Sequence, residues 1–305
     1  MKWKRQKRSP DLRDQRAGGG GMRFPGGGGG LPIPTGRMGG GIGTILIVIV
    51  VFFVLRSCGG GDGGFNVPGP SGGFPQAPAS GKGQGELPKG PDPEAKQLEF
   101  VNFVLIDAQD FWQGEFQSGG KPYERATLVV FRDGVDTGCG SATSQVGPFY
   151  CPLDQTVYID LGFFDELNQR FRAPGDFAQA YVIAHEMGHH IQQQLGTEEE
   201  ARSQSESNPD DANELSIRLE LQADCYAGVW GRSVYDEGIL ESGDLEEGIT
   251  AAEAVGDDRI QEQSSGRIDP ETWTHGSSEQ RQTWFREGYD SGELESCDTF
   301  SPDEV

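Results

Sequence analysis

The stretch YVIAHEMGHHIQQQLG occupies residues 181–196 and holds three of the four histidines in the chain. Its apolar residues recur every three or four positions, which predicts a helix with one buried face. His185 and His189 are four residues apart, so both imidazoles project from one side of this helix. Glu186 lies one position further round. The spacing therefore places two imidazoles and a carboxylate beside a buried surface.

This arrangement is the pattern H-E-x-x-H, in which two neutral imidazoles hold Zn²⁺ and the glutamate takes a proton from the attacking water. His190 lies about 100° from His189 around the helix, so we interpret it as a polar supporting residue outside the site. The five-residue pattern also arises by chance in helices. A catalytic zinc takes three protein ligands, so a further ligand is required.

A second predicted helix, ANELSIRLELQADCYAGVWGRSVY at residues 212–235, offers that ligand. Glu220 and Asp224 lie four apart at the edge of its buried stripe, where a carboxylate needs a partner. We interpret Glu220 as the third metal ligand and Asp224 as the acceptor for the free ring N–H of a ligating histidine. The alternative is a pair of carboxylates on a solvated face. The nearer acidic run TEEE, residues 197–200, is interpreted as a solvated polar loop.

The remaining pattern predicts an α+β domain, mainly helical with a small β-sheet. PEAKQLEFVNFVLIDAQDFWQGEF (residues 93–116) has helical spacing, whereas ATLVVFR (126–132) and QTVYID (155–160) have the composition of strands. Later residues are predicted helical, with breaks at 196–211 and near 264–273. QTVYID is either an edge strand that pairs with an extended substrate or a core strand, and both interpretations stay open.

The first third of the chain has a different composition, with 26 of the 47 glycines before residue 95. We predict a disordered, basic, Gly-rich cytoplasmic tail over residues 1–37 and a Gly/Pro-rich linker over 56–92. Between them, MGGGIGTILIVIVVFFVL (38–55) is uncharged and is predicted to be a single transmembrane helix. Residues 93–305 form the predicted folded domain.

Charge predicts the orientation of this anchor. Residues 1–37 carry a net charge of +7, and the rest of the chain carries −30. A basic flank favours a cytoplasmic N-terminus in the cell membrane, with the acidic domain periplasmic or extracellular. The acidic domain also argues against nucleic-acid binding.

Cysteine usage fits export to an oxidising compartment. Cys139 and Cys151 bracket an eleven-residue stretch suited to a disulfide-bridged loop, which would leave Cys225 and Cys297 as a second pair. The sequence alone permits three connectivities among these four. Cys58, which follows the predicted anchor, is interpreted as an unpaired thiol.

Four segments together carry a family resemblance. HEMGHH followed by ELQAD resembles the HExxH and ExxxD arrangement of the gluzincin metallopeptidases, the group that contains thermolysin-like enzymes. More closely, four stretches in order resemble the "putative neutral zinc metallopeptidase" family of bacterial membrane-anchored proteins: GCGSATSQVGPFYCPLDQTVYIDLGFF (138–164), HEMGHHIQ (185–192), LELQADCYAGVW (219–230) and THGSSEQRQTWFREGY (274–289). The resemblance implies a zincin-like fold and zinc-dependent peptide hydrolysis.

The resemblance also implies roles for His275 and Arg281, which are spaced like a His and Arg pair near the C-terminus of membrane-associated gluzincins. His275 would donate a hydrogen bond to the oxyanion of the scissile carbonyl, and Arg281 would orient Glu220 or a nearby carboxylate. The alternative for His275 is a cap or loop contact.

We therefore expect a zinc metallopeptidase with one Zn²⁺ per chain, held by His185, His189 and Glu220, that acts on a peptide or protein substrate with Glu186 as general base. One alternative is a catalytically silent, zinc-stabilised module that binds envelope proteins or wall polymer. Another is a tethered structural domain without metal.

Overall fold

The computed structural model describes residues 1–17, 91–301 and 305. The predicted membrane span, residues 38–55, lies outside the described residues, as do Cys58 and nearly all of the predicted linker. Within the described ranges, no helix combines the length and the apolar character that a membrane crossing requires.

The described residues form a mixed architecture in which helices predominate. The strands are β1 (Leu12–Asp14), β2 (Thr127–Phe131), β3 (Gly134–Thr137), β4 (Gly140–Thr143), β5 (Phe149–Cys151) and β6 (Thr156–Asp160). The helices are α1 (Ala95–Ser118), α2 (Gly162–Gln169), α3 (Asp176–Leu195), α4 (Thr197–Ser207), α5 (Ala212–Asp236), α6 (Asp244–Ala254), α7 (Asp257–Ser265) and α8 (Ser278–Ser291). The predicted class, mainly helical with a small sheet, is confirmed.

The main sheet has four strands in the order β1-β2-β6-β5. β1, β2 and β6 run parallel, and β5 pairs antiparallel with β6. All five residues of β6 are buried, as expected for a β-branched and aromatic strand with neighbours on both sides. QTVYID is therefore a core strand, and β5 forms the edge. β3 and β4 form a separate two-stranded sheet.

Residues 1–17 correct the prediction of a disordered tail. Leu12 is buried against the core, and β1 extends the main sheet. Trp3 packs edge-on against Phe100 of α1, with ring centroids 5.5 Å apart. Basic side chains dominate the composition of this segment, but Met1, Ser9, Leu12 and Arg16 are buried in it. The folded unit therefore includes residues 1–17 as well as the chain from residue 91.

Residues 197–207 also correct a prediction, because they form α4 rather than a polar loop. Three glutamates lie in the first turn, where the helix dipole favours negative charge. Arg202 forms ion pairs with Glu199 and Glu206 at helical spacing. These local interactions stabilise a helix that has almost no apolar face.

The helices that carry the HExxH pattern and its predicted partners pack unusually closely. A side chain at Gly188 of α3 would come within 2.9 Å of the backbone of Ala223 in α5. Gly228 of α5 and Gly288 of α8 meet at a second crossing, where an added Cβ on Gly288 would lie 1.9 Å from the carbonyl oxygen of Cys225. Only glycine permits this approach.

The described residues form two disulfide bonds. Cys139, in the turn between β3 and β4, bonds to Cys151 of β5. Cys225 of α5 bonds to Cys297, beyond α8. The structure thus forms one of the three connectivities that the sequence permits.

Candidate metal centre

α3 and α5 bring three potential metal ligands to one point. His185 Nε2 lies 3.2 Å from Glu220 Oε2, and His189 Nε2 lies 3.6 Å from Glu220 Oε1. One donor atom from each of the three residues lies within 4.8 Å of the other two. The close helix approach at Gly188 and Ala223 makes this possible, because it brings the two predicted ligand-bearing faces together.

Both histidine rings are oriented by partners on their other nitrogen. His185 Nδ1 lies 2.8 Å from Asp224 Oδ1, and His189 Nδ1 lies 2.9 Å from the side-chain oxygen of Gln192. Since an oxygen acceptor requires Nδ1 to carry a proton, Nε2 is the nitrogen of each ring that can bind a metal. The Nε2 of His189 offers a lone pair directly, and the Nε2 of His185 offers one when a metal displaces its proton.

Asp224 is fully buried and connects three helices. Arg281 of α8 donates from Nε to Oδ2 over 2.7 Å and from Nη2 to Oδ1 over 3.0 Å. The hydroxyl of Tyr181 also donates to Oδ1. These contacts orient the carboxylate toward His185. Arg281 contacts Glu220 more distantly, with Nη2 3.7 Å from Oε2.

Glu186 lies beside this cluster and is 7% exposed. Burial raises the pKa of its carboxyl to about 7. The backbone amide of Tyr150, in edge strand β5, interacts with the same carboxyl group and acts to lower its pKa, but burial outweighs this effect. A carboxylate with a pKa near neutrality is suited to accept a proton and later return it.

His275 is 7% exposed and lies close enough to Glu220 for their charges to interact. Asp257, at the start of α7, holds its ring, with 3.2 Å between Nδ1 and Oδ1. The other carboxylate oxygen of Asp257 accepts the backbone N–H groups of Thr274 and His275. Burial acts to lower the pKa of His275, but the negative charges of Glu220 and Asp257 outweigh it, so that this pKa is raised.

His190 points away from the cluster and is completely buried. Its Nε2 lies 2.7 Å from the carbonyl oxygen of Glu124, so Nε2 donates and Nδ1 accepts from the hydroxyl of Tyr150 over 2.9 Å. Burial lowers the pKa of His190 to about 4. It thus links α3 to β5 as a neutral residue outside the cluster.

The electrostatics of the cluster fit a bound cation. Burial acts to lower the pKa of His185, but Asp224 and Glu220 outweigh it and raise that pKa to about 10. Burial lowers the pKa of His189 to about 4. The carboxylates therefore stabilise one positive charge beside Glu220, and a divalent ion would be stabilised there in exchange for a proton. Two imidazoles and a carboxylate are a donor set that Zn²⁺ accepts.

The structure brings together the residues predicted for the site, and it adds others that the sequence pattern did not reveal. Tyr181 was predicted only as part of a buried stripe. Gln192 and Asp257 had no recognisable signal, because each acts by contacting a histidine that is close in space. Tyr150 contributes a backbone amide, which no side-chain pattern can indicate.

Comparison with known proteins identifies the family of this chain. Residues 1–300 match the family described as "Putative neutral zinc metallopeptidase". The chain belongs to this family. Membership makes zinc the expected metal and a peptidase the expected class of protein.

The relatives cover the chain to different extents. The "Uncharacterized protein YpfJ" of Escherichia coli (strain K12) is 42% identical over 302 residues, which is 98% of this chain and 99% of that protein. The "Uncharacterized protein Mb2605" of Mycobacterium bovis is 48% identical over 190 residues, or 59% of this chain and 64% of that protein. No solved structure matches the chain at a significant level.

Proposed function

We propose that this protein is a zinc-dependent metallopeptidase that hydrolyses peptide bonds, with one Zn²⁺ per chain held by His185, His189 and Glu220. The observation that carries the proposal is the convergence of these three donor groups within 4.8 Å beside the buried carboxyl group of Glu186. Helix-borne ligands of this kind also support a zincin-like arrangement of the domain. Zinc at this point would act as a Lewis acid on the scissile carbonyl and on the attacking water.

The chain's own residues supply the proton transfers. Glu186 accepts the proton of the attacking water and returns it to the nitrogen of the leaving amine. Its raised pKa suits both steps, because the group must gain and lose a proton near neutral pH.

His275 is placed to stabilise the negative charge that develops on the carbonyl oxygen. Asp257 contacts Nδ1 of its ring, which leaves Nε2 free to donate toward a substrate beside Glu220. The buried setting strengthens such a hydrogen bond, because little water competes for it.

Glu186→Gln tests the proposal directly. The amide is nearly isosteric with the carboxyl group but cannot accept the water proton, so the variant should bind one zinc per chain and stay folded while hydrolysis is lost. Turnover is measured on a peptide library by mass spectrometry, and zinc by atomic emission. Glu199→Gln, on the exposed surface of α4, is the matched control and should retain full activity.

Two results would contradict the proposal. Undiminished hydrolysis by Glu186→Gln would reject Glu186 as the general base. Zinc binding by the wild type without turnover of any library peptide would favour the catalytically silent binding module instead.

A further inference from the structure

The first seventeen residues complete the main sheet of the domain. Leu12, Arg13 and Asp14 pair with Leu128, Val129 and Val130 of β2. The backbone bonds continue on both sides, from Leu128 N–H to the carbonyl of Asp11 and from Gln15 N–H to the carbonyl of Val130, each 2.8 Å. Without β1, the apolar strand β2 would be an exposed edge, which proteins avoid because it invites aggregation.

Arg16 ties this segment to the place where the described chain resumes. Its guanidinium group is 1% exposed and forms ion pairs with Asp14, Asp92 and Glu94, each 2.8 Å. Asp92 and Glu94 immediately precede α1, which begins at Ala95. A buried guanidinium needs such partners, because an unpaired charge there would be costly. The Arg16 side chain therefore joins the end of the first described range to the start of the second.

Basic residues of this segment contact acidic and carbonyl groups of the domain. Arg5 pairs with Glu99 of α1 over 3.0 Å, and Lys2 donates to the carbonyl of Gly238. Ser9 N–H donates to the side-chain oxygen of Asn102 over 2.7 Å in a buried contact. Basic residues on which the prediction of a cytoplasmic tail rested, Arg5 and Arg16, therefore form ion pairs with carboxylates of the domain itself.

We propose that residues 1–17 and residues 91–301 occupy the same compartment as one folded unit. A chain that crosses a bilayer once leaves its two flanks on opposite sides. If the chain crossed the membrane once between residues 17 and 91, residues 1–17 could not pack against the domain through β1 and Arg16. The proposal replaces the orientation predicted from charge, in which the N-terminus is cytoplasmic and the domain is outside. It does not rest on the peptidase activity.

The length of the intervening chain is no obstacle to this packing. The entropy cost of closing a loop grows only logarithmically, by about 0.6 kcal/mol for each doubling of its length. The paired strand β1, the ion pairs of Arg16 and the aromatic contact of Trp3 act against that cost.

The first test measures accessibility of the full-length protein in intact cells. Single cysteines are introduced by Gln6→Cys or by Thr283→Cys, both exposed positions, in a Cys58→Ser background. A membrane-impermeant maleimide should label both variants to the same extent, or neither until the cells are lysed. Labelling of one variant alone in intact cells would place the two parts in different compartments and overturn the proposal.

The second test probes the contact itself. Ser9→Cys with Asn102→Cys should form a disulfide, so that after cleavage at a protease site inserted after Gly85 the N-terminal fragment stays attached under denaturing conditions until reductant is added. Ser9→Cys with Asp110→Cys is the control, since Asp110 lies about 12 Å further along α1. Release of the fragment without reductant from both pairs would overturn the docking of residues 1–17.

Discussion

Arg281 holds both carboxylate oxygens of Asp224, at 2.7 Å and 3.0 Å, and Asp224 in turn contacts Nδ1 of His185 at 2.8 Å. A residue of the last helix therefore sets the ring orientation of a proposed ligand on α3. The two hydrogen bonds form a fork that lysine cannot reproduce, because an ammonium group is a single point of charge.

Arg281→Lys should lower zinc affinity by about 10-fold or more, since a residue that orients a ligand typically contributes 10- to 100-fold. The charge is retained, so Asp224 is not left as an unpaired buried carboxylate. Affinity is measured by competition with a chromophoric chelator. Arg259→Lys, which alters a partly exposed ion pair with Glu253, is the control and should bind zinc as the wild type does. Equal zinc affinities for the two variants would show that the paired hydrogen bonds from Arg281 to Asp224 do not contribute to zinc binding.

The identity of the third ligand can be tested among three acidic residues. Glu220→Ala should lower zinc affinity sharply, and Asp224→Ala by about 10- to 100-fold, as expected for a residue that acts through His185. Glu199→Ala should have almost no effect, because Glu199 is exposed and pairs with Arg202. Loss of zinc in Glu199→Ala with retention in Glu220→Ala would show that the ligand assignment is wrong.

His275 and Asp257 should affect turnover rather than metal binding. His275→Ala should reduce kcat/KM by about 10²- to 10³-fold, which is the usual cost of losing an oxyanion donor. Asp257→Asn should cause a smaller loss, since the amide oxygen still accepts one of the bonds that Asp257 now receives. Zinc content should be unchanged in both. If His275→Ala loses its zinc, a structural role would explain the residue better.

A stability prediction concerns Asp107 of α1, which lies away from the metal centre and accepts a 2.8 Å hydrogen bond from Trp230 Nε1. Burial raises its pKa from 3.8 to about 6. The folded state therefore holds this proton more tightly than the unfolded state, so stability is lost as pH rises from 3.8 through 6. Above pH 6 the ionised carboxylate costs about 1–3 kcal/mol.

Asp107→Asn removes that cost while its amide oxygen still accepts the Trp230 bond. The variant should be more stable than wild type at pH 7.5 by about 1–3 kcal/mol, with the gain vanishing near pH 4. Thermal unfolding at both pH values measures this difference. Asp110→Asn, on an exposed part of the same helix, should change stability by no more than about 0.5 kcal/mol. A gain that is the same at both pH values would contradict the role of burial.

The sequence predicted the features that depend on periodicity. Helical spacing around His185 and Glu220 indicated two amphipathic helices, and the same spacing determines which side chains face each other once those helices pack. β2 and β6 were predicted because their β-branched residues are continuous. The α1 prediction succeeded for the same reason.

Contacts between residues that are far apart in the sequence could not be predicted from periodicity. Asp257 is recognisable as a partner only when the fold brings it to His275. β1 has three residues within a basic segment, too few for a period, and its partner strand is more than a hundred residues away. Composition favoured disorder there, whereas pairing with β2, the burial of Leu12 and the ion pairs of Arg16 hold the segment in the fold.

The close approach of α5 and α8 at Gly228 and Gly288 affects the proposed metal centre from a distance. Gly228 and Gly288 contact no ligand, yet they set how near Arg281 can come to Asp224. A methyl group at position 288 would push apart two helices that remain tethered through Cys225 and Cys297. Such a substitution would separate Arg281 from Asp224, and so weaken the proposed metal centre, from a position that contacts none of the proposed ligands.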